Sequence, residues 1–267
     1  MTDPTPERIG VIGGSGFYAF LDEAQPVELT TPYGPPSAPL VLGQVHDRQV
    51  AFLPRHGLAH ELPPHRINYR ANLWALRAAG VTQVLAPCAV GGLQPGQAPG
   101  DLIVPDQLVD RTSGRIQTFH DSFSAAGTAH VSFADPYCPT GRSVSVGTAL
   151  AHGWQVTDGG TMVVIEGPRF STRAESQWFS GLGWSVVNMT GHPEAVLARE
   201  LKLCYTAIAL ITDLDAGVDG ASAVSMDEVF AVFAAKTAAL RELLFAVVAG
   251  LPTERSCPCR HDLVDVP

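Results

Sequence analysis

The sequence is poor in charged side chains, and above all in lysine. Of its 267 residues only 16% are charged, lysine occurs only at Lys202 and Lys236, and the formal net charge is −9. A chain with this charge repels nucleic acid phosphates, so we expect no nucleic acid partner. The low charge indicates either that part of the surface is hidden in subunit contacts or that the composition is biased towards alanine, glycine and arginine.

Long hydrophobic runs and a secretion signal are also missing. No uninterrupted apolar run reaches the roughly 18 residues that a membrane span needs, and residues 1–8 do not read as a signal peptide. The cysteines are few and odd in number, which does not fit a secreted disulfide scaffold. We therefore expect a cytoplasmic protein that binds no membrane, with free thiols at all five positions: Cys88, Cys138, Cys204, Cys257 and Cys259.

Apolar strands and amphipathic helices alternate along the chain. Residues 81–88 and 205–213 are continuous apolar runs, as in strands covered on both faces, and residues 101–109 read as a further strand. This alternation predicts an α/β fold with a mixed, mostly parallel central sheet flanked by helices. We expect a single domain over residues 1–251, followed by an irregular tail over 252–267.

Two predicted strands, 161–165 and 184–187, end in residues that suit a ligand site. Phe170 follows the first strand, and Asn188, Met189 and Thr190 follow the second. Ligands of open α/β sheets bind at the carboxyl ends of the strands. An aromatic ring, an amide, a thioether and a hydroxyl should therefore face one crevice.

Residues 13–16 (GGSG) directly follow the first predicted strand. Glycine lets backbone N–H groups approach an anion closely, and the hydroxyl of Ser15 adds a donor, which favours a phosphate loop. Gly14, Gly16 and Ala19 also fit a dinucleotide-binding fingerprint, but residues 30–34 lack the carboxylate that this fingerprint requires. A plain tight turn is the third interpretation.

Arg55 and His56 follow another predicted strand and suggest an anion site. The guanidinium of Arg55 presents a planar fork to phosphate oxygens, and the imidazole of His56 would add a donor. His60 and His65 lie downstream, but prolines break any helix that would align them as metal ligands. Cys257 and Cys259 in the tail supply only two ligands, so we expect no bound metal.

Asp213 and Asp215 stand at the end of the long apolar strand 205–213. Residues i and i+2 of an extended chain face the same side, and two buried neighbouring carboxyls should raise a pKa. A protonated aspartate can donate to a ring nitrogen while its neighbour accepts from an exocyclic amine, as the N7/N6 edge of adenine requires. A turn or cap containing aspartate is the structural alternative.

Seven motifs in a shared order resemble the family of trimeric purine nucleoside phosphorylases and methylthioadenosine phosphorylases. Any one motif is weak, but the order over about 200 residues is specific. The motifs are residues 9–16 (IGVIGGSG), 55–57 (RHG), 67–72 (INYRAN), 99–102 (PGDL), 165–170 (IEGPRF), 188–190 (NMT) and 212–215 (TDLD).

The resemblance implies that orthophosphate, as co-substrate, attacks C1′ of a purine nucleoside without a metal or organic cofactor. Asp213 would be the catalytic residue, protonating or hydrogen-bonding N7 of the departing base. The resemblance assigns Ser15, Arg55, His56 and Thr190 to phosphate. It assigns Asp215, Phe170, Asn188, Met189, His130, Met226, Val229 and Phe230 to the nucleoside.

The aspartate pair and Thr190 make the chain similar to the methylthioadenosine branch of the family. The expected reaction is phosphorolysis of S-methyl-5′-thioadenosine to adenine and 5-methylthioribose 1-phosphate. A purine nucleoside phosphorylase acting on inosine, guanosine or adenosine is the alternative, and a dinucleotide-binding protein is a more distant one. Cys88 and His192 depart from the usual motifs of the branch, so the preferred nucleoside stays open.

Residues 113–139 show little periodicity, and a segment of this length is usually functional or at an interface. The family resemblance implies that His130 reaches the active site of a neighbouring subunit. We therefore expect a homotrimer whose sites lie at subunit contacts.

Overall fold

The structure is a computed structural model of the chain. It describes residues 7–121, 130–218 and 224–260, except for 15–16, 18–19 and 22–23. Ser15, expected to contact phosphate, lies outside the described residues. Within these ranges, no helix has both the length and the apolar character that a membrane crossing requires.

Strands and helices alternate in the described part of the chain. The strands are β1 (Arg8–Gly13), β2 (Gln25–Val27), β3 (Leu40–Val45), β4 (Arg48–Pro54), β5 (Val81–Gly92), β6 (Leu102–Val104), β7 (Gln107–Arg111), β8 (Val156–Asp158), β9 (Thr161–Ile165), β10 (Val186–Asn188) and β11 (Cys204–Leu214). The helices are α1 (Tyr69–Ala78), α2 (Pro139–Ala151), α3 (Arg173–Gly181), α4 (Gly191–Glu200) and α5 (Met226–Gly250).

The strands form one mixed sheet. Its order is β2-β3-β4-β1-β5-β10-β9-β7, and β11 pairs with both β5 and β6, while β6 pairs with β8. The pairs β1–β4, β1–β5, β5–β11, β6–β8, β7–β9 and β9–β10 are parallel, and the other described pairs are antiparallel. The predicted fold class, an α/β domain with a mixed and mostly parallel sheet, is confirmed.

Helices cover both faces of the sheet, and β11 shows why its sequence is apolar throughout. Tyr205, Ala207, Ala209 and Ile211 belong to the buried cluster that includes side chains of α1 and α4. Ile208 and Leu210 belong to the cluster that includes α2 and α5. Successive side chains of a strand point to opposite faces, so a strand between two helical layers needs apolar residues at every position.

The predicted strand over residues 101–109 is wrong, because it is two strands. Leu102–Val104 pairs with β11 and β8, whereas Gln107–Arg111 pairs with β9. Pro105 lies between them and has no N–H for a ladder hydrogen bond. Asp106 then turns the chain, since its backbone N–H donates to Gly160 and its Oδ1 accepts from the Gly160 N–H.

The segment expected to be an irregular tail, residues 252–267, is described as far as residue 260. Its backbone is docked on the sheet: Gln83 donates from its side chain to the carbonyl of Pro252, and Arg255 donates to the carbonyls of Thr82 and Lys202. The segment ends in a short 3₁₀ turn over Pro258–Arg260. These contacts attach the tail at the amino ends of β5 and β11.

Candidate active site

A cavity of about 370 Å³ opens at the carboxyl ends of β1, β4, β5, β9, β10 and β11. This volume is in the range of small-molecule sites, and the position is the one at which open α/β sheets bind ligands. The predicted site residues that line it are Arg55, His56, Phe170, Asn188, Met189, Thr190, Asp213, Asp215, Met226 and Val229.

Two other predicted residues lie apart from the cavity wall. The ring of Phe230 packs edge-on against His60, with 5.6 Å between centroids, and His60 itself lines the cavity. His130 is exposed and does not line the cavity of its own chain. Its expected role in a neighbouring subunit therefore stays a prediction.

Arg55 is held by a buried ion pair beneath one end of the cavity. Its Nε donates to Oε1 of Glu194 at 2.5 Å and its Nη2 to Oε2 at 3.0 Å, and both side chains are 1% exposed. The Tyr205 hydroxyl donates to the same Oε2 at 2.8 Å, and Nη1 of Arg55 donates to the carbonyl of Pro87. Each terminal nitrogen of Arg55 keeps a second N–H for a ligand.

The environment of Arg55 keeps its charge. Burial alone would lower its pKa, but the Coulombic attraction and hydrogen bonds of Glu194 outweigh burial and raise the pKa. Arg55 is thus a fixed cation at all ordinary pH values. Gly14 lets it approach the loop after β1, because a Cβ at Gly14 would lie 3.0 Å from Nη1 of Arg55.

His56 is held in one tautomer. Its Nδ1 lies 2.8 Å from the carbonyl oxygen of Leu62, so Nδ1 carries the proton. Burial, together with the nearby charges of Arg55 and His60, lowers the pKa of His56 to about 4, although the Leu62 bond acts in the opposite direction. At neutral pH the free Nε2 is therefore an acceptor, which differs from the donor role expected from the sequence.

Asn188 holds the turn that presents Thr190. Its Oδ1 accepts from the backbone N–H groups of Thr190 and Gly191, both at 2.7 Å, and its Nδ2 donates to the carbonyl of Ala89. The amide of Asn188 is thus bonded to the protein, although its side chain lines the cavity. Thr190 comes directly before α4, but the backbone of His192 is extended, so the regular turns of this helix begin at Pro193 and not next to Thr190.

Asp213 and Asp215 line the opposite part of the cavity, since Arg55 bonds to Pro87 of β5 whereas Asp213 pairs with Gly91 further along the same strand. Oδ2 of Asp213 accepts from the hydroxyl of Thr212 at 2.8 Å, and Oδ2 of Asp215 accepts from the hydroxyl of Ser176 at 2.5 Å. Gly91 permits this arrangement, since a Cβ there would lie 3.2 Å from both Oδ1 of Asp213 and Cβ of Asp215.

The two carboxyls differ in what surrounds them. Burial raises the pKa of Asp213 to about 6, opposed by the hydrogen bond from Thr212 and reinforced by the charges of Asp215 and Glu228. Asp213 can therefore donate a proton in slightly acidic solution, and a minority of molecules keep this proton at neutral pH. Asp215 keeps Oδ1 as an acceptor because Ser176 occupies Oδ2.

The remaining cavity wall is mainly apolar. Ile165, Pro168, Phe170, Met189 and Val229 contribute to it. Burial raises the pKa of the neighbouring Cys88 thiol to about 12, so this side chain is neutral as well. Such a wall suits a nucleobase face or an alkyl substituent rather than an ion.

Sequence reasoning missed Arg115, which joins the two loops that bound the cavity. Its Nη1 donates to the carbonyls of Met189 and His192 at 2.9 and 2.6 Å, and its Nη2 donates to that of Glu166 at 2.6 Å. It lies in the aperiodic segment 113–139, where no pattern marks it. Ser176 and Glu194 were missed for a similar reason, because their partners are distant in sequence.

His192, which departs from the usual motif of the branch, does not line the cavity. Its Nε2 lies 2.8 Å from Oε1 of Gln117 and 3.3 Å from Oδ2 of Asp110. Among the residues that the structure describes, no group of three potential metal ligands includes a histidine.

Comparisons with known proteins agree with this geometry. The family model described as the phosphorylase superfamily matches residues 8–249. A purine nucleoside phosphorylase of Streptomyces coelicolor is 59% identical over 97% of this chain and 95% of its own length. An S-methyl-5′-thioadenosine phosphorylase of Mycolicibacterium smegmatis is 58% identical over 93% of each chain.

Solved structures of methylthioadenosine phosphorylases are also similar to this chain. Methylthioadenosine phosphorylase from Schistosoma mansoni in complex with adenine has a TM-score of 0.87 and 38% identity, covering 93% of both chains. A variant of that enzyme in complex with methylthioadenosine has a TM-score of 0.86 over 93% of this chain and 92% of its own. Because relatives of nearly equal identity have different substrate names, identity alone does not fix the preferred nucleoside.

We predict that Glu194→Gln destabilises the protein by about 3–5 kcal/mol, since it leaves the buried Arg55 without its counter-charge. Denaturant unfolding measures the change. The matched control is Asp158→Asn, which removes the partner of Arg142 in a pair whose carboxylate is 60% exposed. That change should cost less than about 1 kcal/mol. Equal losses in the two variants would contradict the prediction.

Proposed function

Because this chain belongs to the phosphorylase superfamily, among the purine nucleoside and methylthioadenosine phosphorylases, we propose that it catalyses phosphorolysis of S-methyl-5′-thioadenosine. It is an enzyme of the pentosyltransferase class. The proposed products are adenine and 5-methylthioribose 1-phosphate. The observation that carries the proposal is a fixed cation at one end of the cavity and, at the other, two neighbouring aspartates of which Asp213 has a raised pKa.

Orthophosphate is proposed to bind at Arg55, His56 and Thr190, with Ser15 as a further donor. The charge of Arg55 attracts the phosphate, and the hydroxyl of Thr190 donates to it. Nε2 of His56 accepts a hydrogen bond, so it suits a P–OH group or a sugar hydroxyl. Oriented phosphate next to C1′ stabilises the positive charge that develops on the sugar as the base departs.

The base is proposed to lie between Phe170 and the carboxyl pair. Asp213 gives its proton to N7, which makes adenine a better leaving group. Oδ1 of Asp215 accepts from the 6-amino group while Ser176 holds its other oxygen. Met189 would contact the ribose, and Met226 and Val229 would contact the methylthio group, with Phe230 behind His60.

Orthophosphate is the co-substrate in this scheme, and we propose that the reaction uses no organic cofactor and no metal at the site. The proton comes from Asp213 and the charge stabilisation from phosphate, which is enough for the displacement. Because the chain belongs to the phosphorylase superfamily, we no longer consider the dinucleotide-binding alternative.

The second candidate is a purine nucleoside phosphorylase acting on inosine, guanosine or adenosine. It is favoured by the name of the Streptomyces coelicolor relative at 59% identity. The carboxyl pair disfavours inosine and guanosine, because their 6-oxo group is an acceptor and meets an acceptor at Asp215. Adenosine has the same 6-amino group as methylthioadenosine and differs from it only at the 5′ position.

The assembly is proposed to be a homotrimer in the cytoplasm. Large apolar side chains are exposed on the single chain, among them Ile116 in the aperiodic segment and Met226 at the cavity, at 56% and 42%. A neighbouring subunit that brings His130 to the cavity would cover such surface.

We predict that adenine release from methylthioadenosine requires orthophosphate, because phosphate is the nucleophile. The measurement follows adenine with and without phosphate in extensively dialysed enzyme, and identifies the sugar product. Equal release without phosphate indicates hydrolysis and contradicts the proposal.

We predict that Asp213→Asn lowers kcat/KM for methylthioadenosine by about 10²- to 10⁴-fold, the usual contribution of a general acid. In the wild type the active form is protonated, so kcat/KM should fall as pH rises above about 6, the pKa of Asp213. This alkaline limb of the pH profile should be absent in the variant, and inosine should become a better substrate because the amide of asparagine can both donate and accept. The control is Asp227→Asn at an exposed carboxyl of the same region. If kcat/KM of Asp213→Asn fell with rising pH as it does in the wild type, the assignment of Asp213 as the general acid would be wrong.

We predict a trimer mass by light scattering for fully active enzyme. His130→Ala should raise KM with little change in Tm, because the side chain acts on a neighbouring site and is exposed on its own chain. His152→Ala, at another exposed histidine, should leave both unchanged. A monomer mass at full activity would be inconsistent with the assembly.

A further inference from the structure

Four of the five cysteines meet in one buried cluster. Cys138 precedes α2, Cys204 begins β11, and Cys257 and Cys259 belong to the C-terminal tail. Their exposed fractions are between 1% and 5%, and their Sγ atoms all lie within 4.8 Å of one another. Among the described residues this is the only group of three or more potential metal ligands.

We propose that these four cysteines form a structural metal site that holds one zinc ion as a Cys₄ centre. Zn–S bonds of about 2.3 Å place the sulfur atoms of a tetrahedral centre roughly 3.8 Å apart. The observed separations bracket this value, since Sγ of Cys204 lies 3.3 Å from Sγ of Cys257 and no pair exceeds 4.8 Å. Small side-chain shifts are enough to close the coordination shell.

The donor set also selects the kind of metal. Four thiolates are soft ligands, which favour zinc over magnesium or calcium. Four protein ligands complete a tetrahedral shell and leave no position for water or substrate, as in structural rather than catalytic zinc sites. The backbone N–H of Gly141 donates to Sγ of Cys138 at 3.4 Å, which orients this sulfur and favours its charged form.

The cluster lies far from the cavity described above. Cys204 begins β11 and Asp213 stands near its end, so the length of the strand separates the two sites. The cysteines join three segments that are distant in sequence: the start of α2, the start of β11 and the tail. A metal there would fix the tail to the sheet, and its loss should reduce stability without changing the chemistry.

The competing interpretation is two disulfide bonds. The described thiols are free, and each sulfur of the cluster has three sulfur neighbours at similar range rather than one bonded partner. The sequence argument against a metal counted only Cys257 and Cys259. The sequence alone does not show that the fold brings Cys138 and Cys204 next to Cys257 and Cys259.

The experiment measures the metal content of full-length protein purified without chelators and without added metal. We expect one zinc per chain by elemental analysis, and a native mass that exceeds the metal-free chain by one zinc. The Cys257→Ser/Cys259→Ser double variant should lose the zinc, whereas Cys88→Ser, at the cysteine outside the cluster, should keep it. Protein loaded with cobalt in place of zinc should show the absorption of a tetrahedral thiolate site.

Removal of zinc with a chelator should lower Tm while kcat/KM of the folded enzyme stays the same. If the double variant fails to fold, zinc release from the wild type on thiol modification provides the same test. A chain without metal and with five reactive thiols would overturn the proposal. A metal-free chain whose mass is lower by four hydrogens would do so too, in favour of two disulfides.

Discussion

The buried ion pair between Arg55 and Glu194 is the interaction on which the site depends most. It joins the end of β4 to the first turn of α4, and the hydroxyl of Tyr205 adds β11 to the same carboxylate. Two charges in a buried position are tolerable only when each satisfies the other, so the pair fixes these three elements relative to one another. The result is a cation of fixed position at the end of the cavity where phosphate is proposed to bind.

At the opposite end of the cavity, burial changes the pKa of a carboxyl group. Burial raises the pKa of Asp213 to about 6, so the carboxyl holds its proton in slightly acidic solution and a minority of molecules still carry it at neutral pH. Asp215 is more deeply buried, at 2% exposed, and receives a hydroxyl from Ser176, which leaves one oxygen as an acceptor. Asp213 is therefore a hydrogen-bond donor when it is protonated, and Asp215 beside it is an acceptor. The cation of Arg55 lies at the other end of the cavity. This polarity pattern is what phosphorolysis of a 6-aminopurine nucleoside requires.

The sequence predicts those features that depend on local pattern, and misses those that depend on distant partners. Continuous apolar runs predicted β5 and β11, and the polar residues after β10 and β11 do lie at the cavity. The break at Pro105 was missed because the apolar pattern continues through it. Arg115 was missed because its partners are backbone carbonyl groups of two other loops. Every residue type has such a group, so the sequence does not reveal these partners. The cysteine cluster was missed because its four members come from three separate segments.

The central claim is that the carboxyl pair selects 6-aminopurine nucleosides. The most direct test is a comparison of kcat/KM for methylthioadenosine and inosine with the unmodified enzyme at saturating phosphate. An unpaired buried polar contact costs about 1–3 kcal/mol, so methylthioadenosine should be favoured by at least about 5- to 150-fold. A higher kcat/KM for inosine would contradict the account and place the enzyme with the 6-oxopurine nucleoside phosphorylases.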